Sequence, residues 1–306
     1  GLGDVYKRQA HATARVGRLW HTRASFYIGT KQPDLMSRKQ RRAIPVFETP
    51  IIETHCHLDY LDTTELEETL AQSRSVGIDR IITIAVSPQN LQTVISLADS
   101  AQDIWCTQGI HPHEAEKFSS EVAARILDNA SNERVVAIGE IGLDYYYDHA
   151  DRAVQRRVFE EQLQIAVDCD LPVVIHTREA DDDTRAILEN FSHRLARGGV
   201  IHSFTSSLEL AQYCLESGFM LGFNGIATFN TAENVREVVS ATPLAQLVLE
   251  TDSPYLTPVP YRGKTNAPYY LPFVAEKIAQ IKAIPVESLL QQARANSLAL
   301  FFPEEL

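Results

Sequence analysis

The sequence predicts a (β/α)8 TIM barrel, on three observations. Short apolar runs alternate with amphipathic, helix-like stretches from Pro45 onward, the pattern of a parallel α/β sheet. The runs show no polar alternation, as expected of strands buried on both faces. Residue types that bind metals stand just past the ends of several runs, where a barrel assembles its active-site loops. The main rival is a doubly wound open sheet. It would carry a Gly-rich phosphate turn after its first strand, but the first run here ends in His55-Cys56-His57.

The first strand begins near Ile51. Residues i and i+2 of a strand share a face, so His55 and His57 would point the same way at its C-terminal end. Thr64 and Glu67 read as a capping box for a helix that ends at Gly77. Residues 80–86 form the second strand. Ser87 and Pro88 follow as N-cap and first helical residue, and Leu91, Val94, Ile95 and Ala98 recur at helical spacing.

The third strand, 104–109, leads into His111-Pro112-His113. Val122, Ile126 and Leu127 mark the next helix. The fourth strand, 135–138, runs into Gly139-Glu140-Ile141-Gly142-Leu143-Asp144, and a long helix covers about 153–168. Strands at 172–175 and 199–201 end at His176 and His202. The seventh covers 219–223, and the eighth, 247–249, ends at Glu250-Thr251-Asp252. A Pro-rich loop and helices at 273–282 and 286–300 complete the chain.

At 306 residues, 44% of them apolar, the chain can fill one large barrel core. No run approaches the ~20 apolar residues that cross a bilayer. Cys56, Cys106, Cys169 and Cys214 are far apart and form no Cys-x-x-Cys, which suits a reduced, cytoplasmic protein. A net charge of -12 excludes a protein whose main task is gripping duplex through a basic surface. Nucleic acid held through divalent cations stays open.

Residues 1–45 differ in kind. Basic residues run from Lys7 to Arg42 against only Asp4 and Asp34, with no hydrophobic periodicity. A transit peptide has this character. The preferred reading places this stretch outside the fold, with Gly1 to Gln9 resembling translated adapter sequence and Met36 a sensible start. Residues 46–306 then form one barrel domain, expected to act as a monomer.

His55, His57, Glu140, His176, His202 and Asp252 would converge on one barrel face. Six ligands are too many for a single tetrahedral ion, so two divalent cations are expected. Glu140 would bridge them at a separation of ~3.5–4 Å. His55, His57 and Asp252 would complete one ion, and His176 and His202 the other. Mixed imidazole and carboxylate donors suit Zn²⁺, Mn²⁺ or Mg²⁺. Water there would be activated near neutral pH, with Asp252 orienting it or taking its proton.

Further groups have both a functional and a plain reading. Arg178 could clamp a phosphate or lie on the surface. His111 and His113 could bind substrate or cap their loop. Tyr145, with Tyr146 and Tyr147, could stack a base or pack the rim. Arg262, Lys264 and Asn266 could touch a phosphate or form ordinary surface. Cys56, His149 and His193 read as bland.

Glu-Thr-His-Cys-His-Leu-Asp at 53–59, Gly-Ile-His-Pro-His at 109–113 and Gly-Glu-Ile-Gly-Leu-Asp-Tyr at 139–145 resemble motifs of the TatD family of metal-dependent deoxyribonucleases. So do Ile-His-Thr-Arg at 175–178, Ile-His-Ser-Phe at 201–204, Glu-Thr-Asp-Ser-Pro-Tyr-Leu at 250–256 and Arg-Gly-Lys-Thr-Asn at 262–266. The resemblance implies a divalent-metal hydrolase cutting DNA phosphodiesters, often from a 3′ end, with single-stranded ends as partner. It carries metal roles to His55, His57, Glu140, His176, His202 and Asp252. Glu53 departs from the family's usual Asp, and Ser206 from its usual Gly.

Two other function classes compete. One is a small-molecule amide or ester hydrolase, though many of these bridge their metals with a modified Lys where Glu140 stands. The other is a metal-dependent binding module without catalysis.

Overall fold

The computed structural model describes residues 41–305. Most of the predicted N-terminal extension, up to residue 40, lies outside them. A compact unit begins at Ile44, which packs against Ala267, Tyr270 and Phe273. The fold therefore starts two residues before position 46.

Eight parallel strands pair in sequence order: β1 Ile51–Cys56, β2 Ile78–Thr83, β3 Ile104–Gln108, β4 Val135–Asp144, β5 Val173–Arg178, β6 Gly199–Ile201, β7 Met220–Phe223 and β8 Leu247–Leu249. Helices α1 Thr63–Ser75, α2 Leu91–Asp99, α3 Ser120–Asn129, α4 Arg152–Cys169, α5 Asp181–Phe191, α6 Leu208–Glu216 and α7 Glu233–Ala241 alternate with them. The chain ends in α8 Leu271–Lys282 and α9 Val286–Phe301. The barrel closes where Cys56 bridges in parallel to Ser253, just past β8.

Two helix starts differ from the sequence reading. The capping box of α1 is Asp62 with Glu65, not Thr64 with Glu67. Asp62 stands before the helix, where its carboxylate reaches the free N–H of Glu65 at 2.9 Å. Helix α2 starts after Asn90 rather than at Ser87. The Asn90 side chain accepts the N–H groups of Val86 and Ser87, each at 3.0 Å, so residues 87–90 form a turn of their own.

One core cluster joins Ile52, Ile82, Val136, Val174, Val200 and Val248 with Leu300, Phe301 and Phe302 from the chain's last helix and the residue after it. Two residues further along the same strand face lie His176 after Val174, His202 after Val200 and Glu250 after Val248. The apolar cluster thus forms a floor beneath the polar face. Among the described residues, no helix is long and apolar enough to cross a membrane.

Candidate metal centre

The closing seam of the barrel places the first three candidates. Asp252 donates its N–H to the His55 carbonyl at 2.9 Å, and His57 donates to Ser253 at 2.8 Å. The Thr54 hydroxyl adds a bond to the Leu249 carbonyl at 3.0 Å. His57 Nε2 comes within 3.5 Å of Asp252 Oδ1, and His55 Nε2 within 3.9 Å. Asp252 has φ +55°, in the left-handed region that Asp tolerates better than most residues. The buried Asn266 amide pins this turn by donating to the carbonyls of Thr251 and Tyr255.

Glu140 occupies an irregularity in β4. Gly139 pairs with Val174 and Ile141 with Ile175, so Glu140 is the extra residue of a bulge, a device that re-aims side chains at barrel rims. Its N–H bonds the Ala85 carbonyl at 2.9 Å. Gly142 then lets β4 press onto β5: with φ +136°, a Cβ there would fall 2.0 Å from the His176 carbonyl oxygen. The Glu140 carboxylate faces several ways. Oε2 lies 3.5 Å from His55 Nε2, while Oε1 lies 3.0 Å from His176 Nδ1 and 3.5 Å from both His202 Nε2 and His111 Nε2.

Among the described residues, three overlapping groups could hold a cation: His55 with His57 and Asp252, His55 with Glu140 and His202, and His111 with Glu140 and His176. The six sequence candidates thus meet around Glu140. His202 stacks on His55 with ring centroids 3.5 Å apart and shares one of these groups with it.

Carboxylates orient the rings from behind. Glu250 Oε1 bonds His202 Nδ1 at 3.1 Å and accepts the Ser203 N–H at 2.7 Å. Gly222 leaves room for it, since a Cβ there would sit 2.5 Å from Glu250 Oε2. Asp144 Oδ2 bonds His176 Nε2 at 3.1 Å and His113 Nε2 at 3.0 Å. Such partners fix which nitrogen faces a metal. Sequence reasoning missed both. Their signal was present, since each is an acid on the strand end that carries a named candidate: Asp144 beyond Glu140, and Glu250 two before Asp252.

Burial raises a carboxyl's pKa, yet the histidines around Glu140, first His111 and His202 and then His176 and His55, outweigh it and hold the group well below the usual range. Burial likewise opposes Asp252, but His57 wins and lowers it. Both stay ionised at neutral pH. Glu53 goes the other way: burial lifts it to about 8, although Oε1 accepts the N–H groups of His55 and Thr251 at 3.0 and 2.9 Å.

The donor set fits divalent cations. Neither ring nitrogen of His55 has a hydrogen-bond partner, nor does His57 Nδ1, and all three are buried. Unpartnered buried polar atoms cost about 1–3 kcal/mol each. A cation between the Nε2 atoms of these rings and the ionised Glu140 and Asp252 would satisfy His55 Nε2 and the carboxylates together.

The family model for TatD-related DNases matches residues 52–302. The chain belongs to the TatD family. This TatD-family hydrolase is 36% identical over 252 residues to an uncharacterized metal-dependent hydrolase of Bacillus subtilis (strain 168), YabD, covering 82% of this chain and 98% of that one. It is 37% identical over 256 residues to YcfH of Escherichia coli (strain K12), also described as a metal-dependent hydrolase, covering 82% and 95%. The crystal structure of the TatD homologue YJJV from Escherichia coli K12 superposes with a TM-score of 0.78 at 31% identity, covering 82% and 97%. A phosphotriesterase homology protein from Escherichia coli, at 15% identity and TM-score 0.64, shares the barrel alone. The chain is a metal-dependent hydrolase of this family.

Several predicted substrate contacts of the TatD barrel lie elsewhere in its bonding. Tyr145 is not a free stacking face. Its hydroxyl donates to Asp183 at 2.5 Å, and Arg152 covers its ring at 4.4 Å. Asn266 is buried in backbone bonds rather than offered to a phosphate, and Lys264 is exposed. Strand β5 does extend to Arg178, whose guanidinium lies 4.1 Å over Tyr146 and 4.9 Å over Tyr147. The exposed Arg262 lies 3.5 Å over Phe229. His149, expected to be bland, stands 4.7 Å from His113 and stacks on Tyr147. Sequence reasoning also missed an aromatic wall. Tyr60 stacks on His57 at 5.1 Å, with Tyr255 edge-on at 6.3 Å, and nothing in a lone Tyr after His-Leu-Asp marks it.

Proposed function

We propose that this protein hydrolyses phosphodiester bonds at the 3′ ends of single-stranded DNA, acting as a monomer in the cytoplasm. The observation that carries the reading is the position of Glu140, whose two carboxylate oxygens are shared among four histidines, from β1, β5, the residue just past β6 and the loop after β3. A carboxylate used from both sides suits a pair of cations rather than one. Zn²⁺, Mn²⁺ or Mg²⁺ at such a site neutralises phosphoryl charge and lowers the pKa of water toward neutrality.

The chain's own residues supply the rest. Asp252 stays ionised and takes the proton of the attacking water. His55, His57, His176 and His202 would hold the cations, with Asp144 fixing the His176 ring and Glu250 the His202 ring. Tyr60 and Tyr255, 47% and 36% exposed, offer an unpaired base a stacking surface beside His57, worth about 1–3 kcal/mol per base. Arg178 and Arg262, each laid over an aromatic ring, would meet backbone phosphates. A net charge of -12 agrees with binding through cations rather than a basic groove. The unpaired cysteines suit a reducing compartment.

The test is a metal-loaded assay on oligonucleotides with blocked and free 3′ ends, alongside amide and lactone panels. Stepwise loss of 3′ nucleotides that stops in chelator supports the reading. Turnover of amides or lactones with no DNA cleavage replaces it with the small-molecule alternative.

A further inference from the structure

The histidines around Glu140 do not all present the same kind of nitrogen. His202 bonds the Glu250 carboxylate through Nδ1, so that nitrogen carries a proton and Nε2, facing Glu140, is the one able to offer a lone pair. His176 reverses the ring with the same result: Nε2 bonds Asp144, and Nδ1 faces Glu140.

His111 is the exception. Its Nδ1 accepts the backbone N–H of His113 at 3.1 Å. A backbone amide can only donate, so Nδ1 is unprotonated, and the neutral ring carries its single proton on Nε2. That Nε2 lies 3.5 Å from Glu140 Oε1. The sequence dictates the arrangement. His111 caps the 3-10 turn Pro112–Lys117. Pro112 has no N–H to cap, so the ring reaches the next one, as an Asp or Asn cap does. The turn is held from behind, because Gln162 bonds both the N–H and the carbonyl of Ile110, at 2.7 and 3.0 Å.

We propose that His111 is this centre's hydrogen-bond donor and not one of its metal ligands, its Nε2–H offered to a non-bridging phosphoryl oxygen of the bound phosphodiester. A cation on Nε2 would leave the ring without a proton on either nitrogen while Nδ1 still served the cap. The identity of the oxygen rests on the phosphodiesterase reading; the donor assignment does not.

The test uses the full chain loaded with Zn²⁺, with its histidine rings labelled with 15N. Long-range proton–nitrogen correlations should show His111 as the neutral Nε2–H form with an unmetallated Nδ1. Elemental analysis should give the same zinc content for wild type, His111→Ala, His111→Gln and His111→Asn. Inorganic phosphate should bind His111→Ala about 10–100-fold more weakly than wild type, the loss of one hydrogen bond to a charged group. His111→Gln, whose amide reaches the Nε2 position, should recover most of that; His111→Asn, whose amide reaches only the Nδ1 position, should not. A proton on Nδ1 of the wild-type ring overturns the proposal, as does zinc lost from His111→Ala. Equal phosphate affinity in wild type and His111→Ala also overturns it. If wild type binds no phosphate while the tautomer and zinc content are as expected, the phosphoryl assignment falls with the phosphodiesterase reading and the donor assignment stands.

Discussion

His55 and His202 lie ring on ring, their centroids 3.5 Å apart and their planes 11° from parallel. Two imidazolium ions cannot share that distance. Burial and the His202 charge lower His55. Burial also works against a charge on His202, but Glu250 and Glu140 prevail and lift it to about 10. One ring is therefore neutral and its neighbour protonated until a cation displaces the proton.

That relationship sets a pH dependence for metal binding. His202 at about 10 and His176 at about 9, the latter held up against burial by Asp144 and Glu140, are both protonated at neutral pH. Ligation needs their lone pairs, so binding releases protons and affinity rises with pH until those pKa values are passed. Each displaced proton contributes about tenfold in affinity per pH unit. Calorimetric titration in buffers of different ionisation enthalpy should count about two protons released per chain. Affinity that is flat from about pH 6 to about pH 8 would refute the linkage.

Glu140→Gln should remove the shared negative charge and lower metal content more than loss of any single histidine. Hydrolysis should fall by about a thousandfold or more, equivalent to several kcal/mol of charge stabilisation. Elemental analysis and initial rates measure the two effects separately. Wild-type metal content in this variant would mean that Glu140 does not hold the cations.

Glu250 touches no predicted cation, yet it aims His202. Glu250→Gln keeps the shape that Gly222 accommodates but exchanges a charged acceptor for a neutral amide. Metal affinity should drop about 10–100-fold, the usual effect of losing a carboxylate behind a ligating histidine, with the fold intact by circular dichroism. An unchanged affinity would reduce Glu250 to a packing role.

Gly142→Ala tests the contact between β4 and β5. The new Cβ would meet the His176 carbonyl at 2.0 Å, in a backbone conformation of φ +136°. Strain of this kind costs about 1–3 kcal/mol from the dihedral alone, and the clash adds to it. Denaturant unfolding should show at least that loss, together with weaker metal binding as His176 is displaced. Stability within about 0.5 kcal/mol of wild type would show that the strands can separate there without penalty.

The sequence by itself determined the barrel and the six residues gathered at its rim. Parallel strands buried on both faces leave an apolar record, and their C-terminal ends must converge once the sheet closes, so His55, His57, Glu140, His176, His202 and Asp252 were legible from strand ends alone. Starting points of helices were less legible, as Asp62 and Asn90 show, because several polar residues compete for the same unbonded N–H groups. What only the tertiary structure decided was the bonding of each side chain to partners far along the chain. Asp144 and Glu250 fix ring nitrogens across strands, and Tyr145 is taken by Asp183 on α5. Local sequence sets a strand's direction and face, whereas the state of an imidazole depends on which donor or acceptor the fold brings within 3.1 Å of it.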